Sequence, residues 1–295
     1  MRLSNRCYAV TGLGYSAPWC VNAGFVAGDD LTAVVDTGGN TLSAQTIHGY
    51  ASAARPGNRM LVVNTEKHFD HIGGNGFFRQ HGIDVWDHAG VARTSDEFQA
   101  EIAEFNQAIP NQARRERGEA RAFFHETRLV HPNRRISGDT RLDLGGCAVE
   151  ILLTPGHTAT NLSVWVPEAG VLFSGDCLIC EYLPNLDAGA PADWRTWLES
   201  LKRIEALAPA IVVPGHGPVA RGKEVQVVVD TVRRVLEESI SQGHSPTAPR
   251  PPASLRVEPR ASASGYMWTA AHQQPGMAAP YSARPPAPLR VEPRA

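Results

Sequence analysis

A chain of 295 residues with 42% apolar and 20% charged side chains has enough apolar material for a sizeable core. Its formal net charge of −2 supplies no general attraction to nucleic acid or to an anionic membrane, so neither is an expected partner. No apolar run is long enough to span a bilayer. Residues 7–26 are broken by glycines, Pro18 and Asn22 and lack the apolar core of a secretory signal, so a cytoplasmic location is expected.

Residues 22–28 and 31–37 read as two strands joined by a turn at Gly28-Asp29-Asp30. A helix over 41–54 and a short apolar strand over 60–64 follow. The next stretch, Glu66-Lys67-His68-Phe69-Asp70-His71, places four potential metal ligands within six residues, and Gly73-Gly74 follows them. Read as extended chain, its alternation sends Glu66, His68 and Asp70 to one side, while His71 turns away as the loop closes. Lys67, between ligands, is expected to face solvent. A helix begins at 74–80, and 83–86 is another strand. This alternation of strands with helices predicts an α/β layered architecture.

Residues 97–124 are charge-rich and read as a helix interrupted at Pro110, an insertion or lid over one rim of the site. Four short β-rich segments, 141–144, 149–153, 162–166 and 171–174, predict a second sheet. Residues 191–206 form an amphipathic helix with Trp194, Trp197, Leu198, Leu201 and Ile204 at helical spacing, a stripe expected in the core. A strand over 211–213 and a helix over 223–241 complete a domain predicted to span 1–243. From 244 to 295 the chain is rich in proline, alanine and arginine. Its segment 250–261 recurs at 284–295, with Pro288 in place of Ser254. So much proline in so short a repeat predicts a disordered tail.

The five cysteines, Cys7, Cys20, Cys147, Cys177 and Cys180, are odd in number and lack a secretory context, which argues against a disulfide framework. Cys177 and Cys180 have the spacing of a redox or zinc pair but no companion pair, and buried thiols are expected. His81, His88, His125 and His131 have no accompanying ligand pattern.

Three further segments carry ligand types beside glycine just past apolar strands. They are Thr154-Pro155-Gly156-His157, Ser174-Gly175-Asp176-Cys177 and Pro214-Gly215-His216-Gly217. Strand ends and the tight loops after them suit metal ligands, which must not wander.

This ordered set resembles the metallo-β-lactamase superfamily over roughly residues 20–240. The family signature is His-x-His-x-Asp-His, then a His after Pro-Gly, an Asp after Gly, and a His after Pro-Gly. Glu66 stands where the first His is usual. The resemblance implies a four-layer αβ/βα sandwich with two divalent metal ions at one edge between the sheets. Glu66, His68 and His157 would form site 1; Asp70, His71 and His216 would form site 2; Asp176 would bridge them. Zinc is the expected metal, and the Glu66 carboxylate leaves iron and manganese open. The implied activity is a metal-dependent hydrolase that uses a metal-bound hydroxide to open an amide, lactone, ester or thioester in a small-molecule substrate. An iron-dependent oxidative enzyme and a non-catalytic metal-binding scaffold are the alternatives. Asp70 would also orient the nucleophile, and Tyr182 would either donate to an oxyanion or serve packing. Trp19 and Phe25 are candidate pocket-lining residues. Glyoxalase II-like members carry a C-terminal helical domain, whereas only one predicted helix follows His216 here. The sequence carries no signal for an oligomeric state.

Overall fold

The computed structural model describes residues 1–14, 20–108, 127–186 and 189–245. The β-branched and aromatic runs predicted as strands form two half-sheets. The first is built from β1 (Cys7–Leu13), β2 (Val21–Ala27), β3 (Leu31–Val35), β4 (Arg59–Val63), β5 (Asp84–His88) and β6 (Arg134–Ile136). The second is built from β7 (Thr140–Asp143), β8 (Ala148–Leu153), β9 (Leu162–Val166), β10 (Val171–Ile179), β11 (Ile211–His216) and β12 (Ala220–Arg221). Strand order runs β6-β5-β4-β3-β2-β11-β10-β9-β8-β7, with β1 on β2 and β12 on β11. The halves meet where the candidate ligand His216 pairs with Val21. The predicted second sheet is therefore continuous with the first through one pairing.

Period-two alternation distributes the apolar side chains between layers. Ala33 and Val35 of β3 point inward with Val63, Val149, Ile151, Val164, Phe173 and Val213, and form the core between the half-sheets. Val34, one residue out of phase, points to the other face. There it meets Ile47 and Ala51 of α1 (Thr41–Ala54) and Phe78 of α3 (Asn75–Gln80). Asn40 caps α1 by accepting from the Ser43 N–H at 2.8 Å. On the far side, α5 (Pro191–Leu207) and α6 (Lys223–Gln242) bring Trp197, Leu201, Ile204, Val232 and Leu236 against Leu172, Leu178 and Val212. Pro191 starts α5 with a pre-set φ, and Asp193 accepts from the Ala190 N–H at 2.8 Å. The result is the expected four-layer αβ/βα sandwich.

Trp197 links this packing to the site. It is 1% exposed, its indole N–H donates to the Cys177 carbonyl at 2.9 Å, and its ring lies 5.7 Å from that of His157. Gly156 permits the approach, since a Cβ there would lie 2.3 Å from the indole.

Some sequence expectations are corrected. The 66–71 stretch is not extended throughout: α2 (Phe69–Ile72) is a helical turn with His68 at its N-cap, so Asp70 does not alternate with Glu66 and His68. Strands β10 and β11 continue, with breaks in register, through Asp176 and His216 rather than ending before them. Strands β1 and β6 go unpredicted. One contains a glycine and alternates weakly; the other is three residues long and exists only beside β5. Helix α4 (Ser95–Ala108) realises the start of the predicted 97–124 helix. The remainder of that helix, Pro110, Trp19, His125 and residues 246–295 lie outside the described residues. All five cysteines are free, four of them buried.

Candidate metal centre

Four segments of different origin deliver the seven predicted ligands to one place. The loop after β4 and turn α2 carry Glu66, His68, Asp70 and His71; the loop after β8 carries His157; β10 and β11 carry Asp176 and His216. Their donor atoms fall into three overlapping groups, each within 4.8 Å: Glu66, His68 and His157; Asp70, His71 and His216; and Glu66, His71 and Asp176.

In the first group, Glu66 Oε2 lies 2.9 Å from His68 Nδ1 and 3.4 Å from His157 Nε2. The two imidazole nitrogens face each other at 3.2 Å. In the second, His216 Nε2 lies 3.3 Å from Asp70 Oδ2, and His71 Nε2 lies 3.9 Å from the same oxygen. Asp176 spans the two. Its Oδ2 is 3.5 Å from His157 Nε2 and 3.4 Å from His216 Nε2, and its Oδ1 is 3.3 Å from His71 Nε2.

Outer contacts fix which nitrogen of each ring points inward. His71 Nδ1 donates to Asp36 at 2.9 Å, His157 Nδ1 to the Asn185 carbonyl at 3.2 Å, and His216 Nδ1 to the Cys20 carbonyl at 3.2 Å. In each case Nε2 is the nitrogen left to face inward. Asp36 is 2% exposed and sits at φ 61°; its carboxylate also accepts from the Thr65 N–H and hydroxyl, both at 2.7 Å. The Thr37 hydroxyl donates to the His71 carbonyl at 2.9 Å. Asn64 and Asn75 hydrogen-bond each other at 3.0 and 3.1 Å and hold the same turn. Gly215 is required by proximity, because a Cβ there would lie 1.8 Å from Asp176 Oδ1. Arg93, from before α4, donates to the Lys67 carbonyl at 2.7 Å and pins the loop between Glu66 and His68.

Charge is concentrated to match. Burial pushes the Glu66 carboxyl up, but His68 and His157 outweigh it and leave it below its ordinary value. Burial likewise opposes the His68 imidazolium, yet Glu66 raises it to about 9. Asp70, against its burial, is drawn down to about 2 by His71 and His216. His71 and His216 are raised well above the usual imidazole range and Asp176 is held well below the carboxylate range, in each case by the opposite charges and against burial.

The side chains fit a pair of cations on one structural criterion. Among the described residues, both Glu66 oxygens, His71 Nε2 and Asp176 Oδ1 are buried with no hydrogen-bond partner outside the ligand cluster itself. Such orphaned polar atoms are costly in a core and are normally answered by a partner or an ion. Three carboxylates and four imidazoles, all inward, suit divalent cations of the zinc, manganese or iron type.

Sequence reasoning missed the supporting residues Asp36, Asn64, Thr65, Asn75 and Arg93. Asp36 and Asn64 did carry a signal, as polar residues ending buried parallel strands β3 and β4. Tyr182 is half-buried just after β10, and its phenol is raised by burial and by Glu181. Among the described residues it makes no hydrogen bond to the seven, though Asn185 of the same segment holds His157. Phe25 is 1% exposed and packs with Tyr8 and the α1 layer, not in the site.

A sequence profile described as the metallo-beta-lactamase superfamily matches residues 18–216. A beta-lactamase-like protein 2 homolog from Caenorhabditis elegans is 33% identical over 97 residues, which is 33% of this chain and 30% of that protein. A hydroxyacylglutathione hydrolase from Brucella abortus strain 2308 is 30% identical over 107 residues, 36% of this chain and 40% of that protein. The chain thus spans less than half the length of these relatives. A metallo-beta-lactamase family protein from Thermus thermophilus shares the fold with a TM-score of 0.60 and 22% identity, over 82% of each chain. A metallo-beta-lactamase from Pontibacter korlensis does so with a TM-score of 0.56 and 20% identity, over 80% of this chain and 97% of that one. The chain belongs to the metallo-beta-lactamase superfamily.

Proposed function

We propose that this protein is a metal-dependent hydrolase that opens an amide, lactone, ester or thioester in a small molecule, using two divalent cations, with zinc as the first expectation. The observation that carries the reading is the set of buried donor atoms on Glu66, His71 and Asp176 that face only one another and the other candidate ligands. The names of the relatives support it, since one is a hydroxyacylglutathione hydrolase. A bound pair of divalent cations supplies Lewis acidity toward a carbonyl and makes water acidic enough to ionise near neutral pH.

The chain's own residues have separate tasks. Glu66, His68 and His157 would hold one cation, Asp70, His71 and His216 the other, and Asp176 would contribute to both. Asp70 has a second task. Its side chain is 16% exposed, against 0% for Glu66 and 7% for Asp176, so it is the carboxylate of the three most open to solvent. With its acidity held to about 2 it stays ionised, and it would orient an incoming water by accepting a hydrogen bond from it. Tyr182 is the candidate donor to a developing oxyanion. Burial of the remaining ligands keeps bulk water away from the charge that they carry.

The test is a panel of lactones, activated esters, thioesters and β-lactams assayed with and without a chelator, alongside Asp176→Ala. Hydrolysis of at least one class, lost with chelator and restored by metal, is expected. Metal-independent turnover, or none on any class at full metal loading, overturns the reading. One observation favours a second reading, an iron-dependent oxidation: the third carboxylate, Glu66, biases the set toward harder cations. Iron in the purified protein, with consumption of dioxygen, would select it.

A further inference from the structure

Glu66 does something that a histidine in its place cannot. An imidazole turns one nitrogen toward the cluster, whereas a carboxylate turns two oxygens. Here the two oxygens face different neighbours. Oε2 points at His68 Nδ1 and His157 Nε2, at 2.9 and 3.4 Å. Oε1 points at His71 Nε2, at 3.0 Å, a nitrogen that belongs with Asp70 and His216. Glu66 consequently falls in two of the three ligand groups, one of which it shares with Asp176. Asp176 shows the same division: its Oδ2 lies between His157 and His216 and its Oδ1 faces His71. Both carboxylates are fully or nearly fully buried, and among the described residues both Glu66 oxygens lack any other hydrogen-bond partner.

Resting on the reading that two divalent cations bind here, we propose that Glu66 is a second bridging carboxylate beside Asp176, which makes the two cations load together. A carboxylate that binds one cation through each oxygen spans the roughly 3.5–4 Å separation of paired metal sites. A carboxylate that chelated one cation would direct both oxygens at His68 and His157, and Oε1 does not point there. The second bridge couples the sites in two ways. With one cation bound, Glu66 and Asp176 are already oriented for the other. With both bound, the three carboxylates of Glu66, Asp70 and Asp176 offset all but one positive charge of two dications, so that mutual repulsion between the cations is largely cancelled.

Cobalt(II) titration of the metal-stripped full-length protein tests this, with visible absorption and electron paramagnetic resonance as readouts and no substrate present. The variants are Glu66→Asp, Glu66→Gln and Glu66→His. Glu66→Asp keeps the charge but is one methylene too short to reach both groups. In the wild type the two cobalt ions should enter in one unresolved phase, and a half-loaded sample should give the signal of coupled pairs rather than of isolated ions. In each variant the second ion should bind roughly tenfold or more weakly than the first, with isolated-ion signal at half loading. Stepwise loading of the wild type overturns the proposal by itself, whether or not any variant folds, and leaves the dinuclear reading intact. Cooperative loading by Glu66→Asp equal to that of the wild type also overturns it, since charge without reach would then suffice. Uptake of fewer than two ions by the wild type removes both the bridge and the dinuclear reading.

Discussion

Replacing Asp36 should expose how far the centre depends on a residue that touches no cation. Its carboxylate accepts from the Thr65 N–H at 2.7 Å, the Thr65 hydroxyl at 2.7 Å and His71 Nδ1 at 2.9 Å, all buried. In Asp36→Ala these three donors lose their acceptor at once. At about 1–3 kcal/mol for each buried unsatisfied group, with partial relaxation, the loss should be about 3–5 kcal/mol. Alanine at φ 61° adds roughly 1 kcal/mol of backbone strain, which Asp36→Gly should recover. For a domain of this size the total lowers the melting temperature by roughly 10 °C. Asp36→Asn separates charge from shape, since asparagine tolerates positive φ and fills the same space. It can still accept from Thr65, but it no longer presents a charged acceptor to His71. Its stability should fall less, and its metal affinity should drop about 10- to 100-fold. Urea unfolding of the stripped protein and competition against a chromophoric chelator measure the two effects separately. An Asp36→Asn protein that binds metal as tightly as the wild type would refute the claim that Asp36 sets the His71 donor nitrogen.

Gly215→Ala should weaken metal binding by roughly tenfold or more, measured by the same chelator competition, because its Cβ would stand 1.8 Å from Asp176 Oδ1 and force that ligand aside. Metal loading near pH 7 should release about three protons per chain, from His68, His71 and His216, which their carboxylate neighbours keep protonated in the stripped protein; a pH-indicator titration reads this directly. The stripped protein should also show a defined stability window. His68, raised to about 9, stabilises fully below its ordinary value of 6.5 and loses that contribution as pH climbs through 9; Asp70, lowered to about 2, stabilises above 3.8 and loses that contribution as pH falls through 2. Melting temperatures of stripped protein at pH 5 and at pH 9.5 check the alkaline limb, where the value should be lower. Removing residues 246–295 should shift melting by less than about 2–3 °C and leave turnover unchanged, since that stretch offers little apolar periodicity to a core.

The candidate ligands were legible because metal chemistry restricts residue type severely. Glu66, His68, Asp70 and His71 cluster within six positions, and His157, Asp176 and His216 each sit beside a glycine shortly after an apolar run. The long strands and helices were legible for a similar reason: Trp194, Trp197, Leu201 and Ile204 follow a helical period that few loops imitate. The local geometry of the ligand loop was not. Phe69–Ile72 is a four-residue turn, too short to leave a periodic trace; Thr37 and Asn64, both held by Asn75, donate to the His71 carbonyl from elsewhere in the chain. Asp36 stayed hidden because an acidic residue before Gly38-Gly39 reads as an ordinary strand end until the sheet brings β4 and α2 against it. The double reach of Glu66 depends on where His71 falls, which no spacing rule encodes.

Metal content measures the central claim most directly. Full-length protein purified without added chelator, and the same protein stripped and reloaded, should each carry two divalent metal ions per chain by elemental analysis. Asp176→Ala, which removes the carboxylate shared by His71, His157 and His216, should carry fewer than one. Fewer than two ions in the reloaded wild type, or two ions retained by Asp176→Ala, would contradict the account.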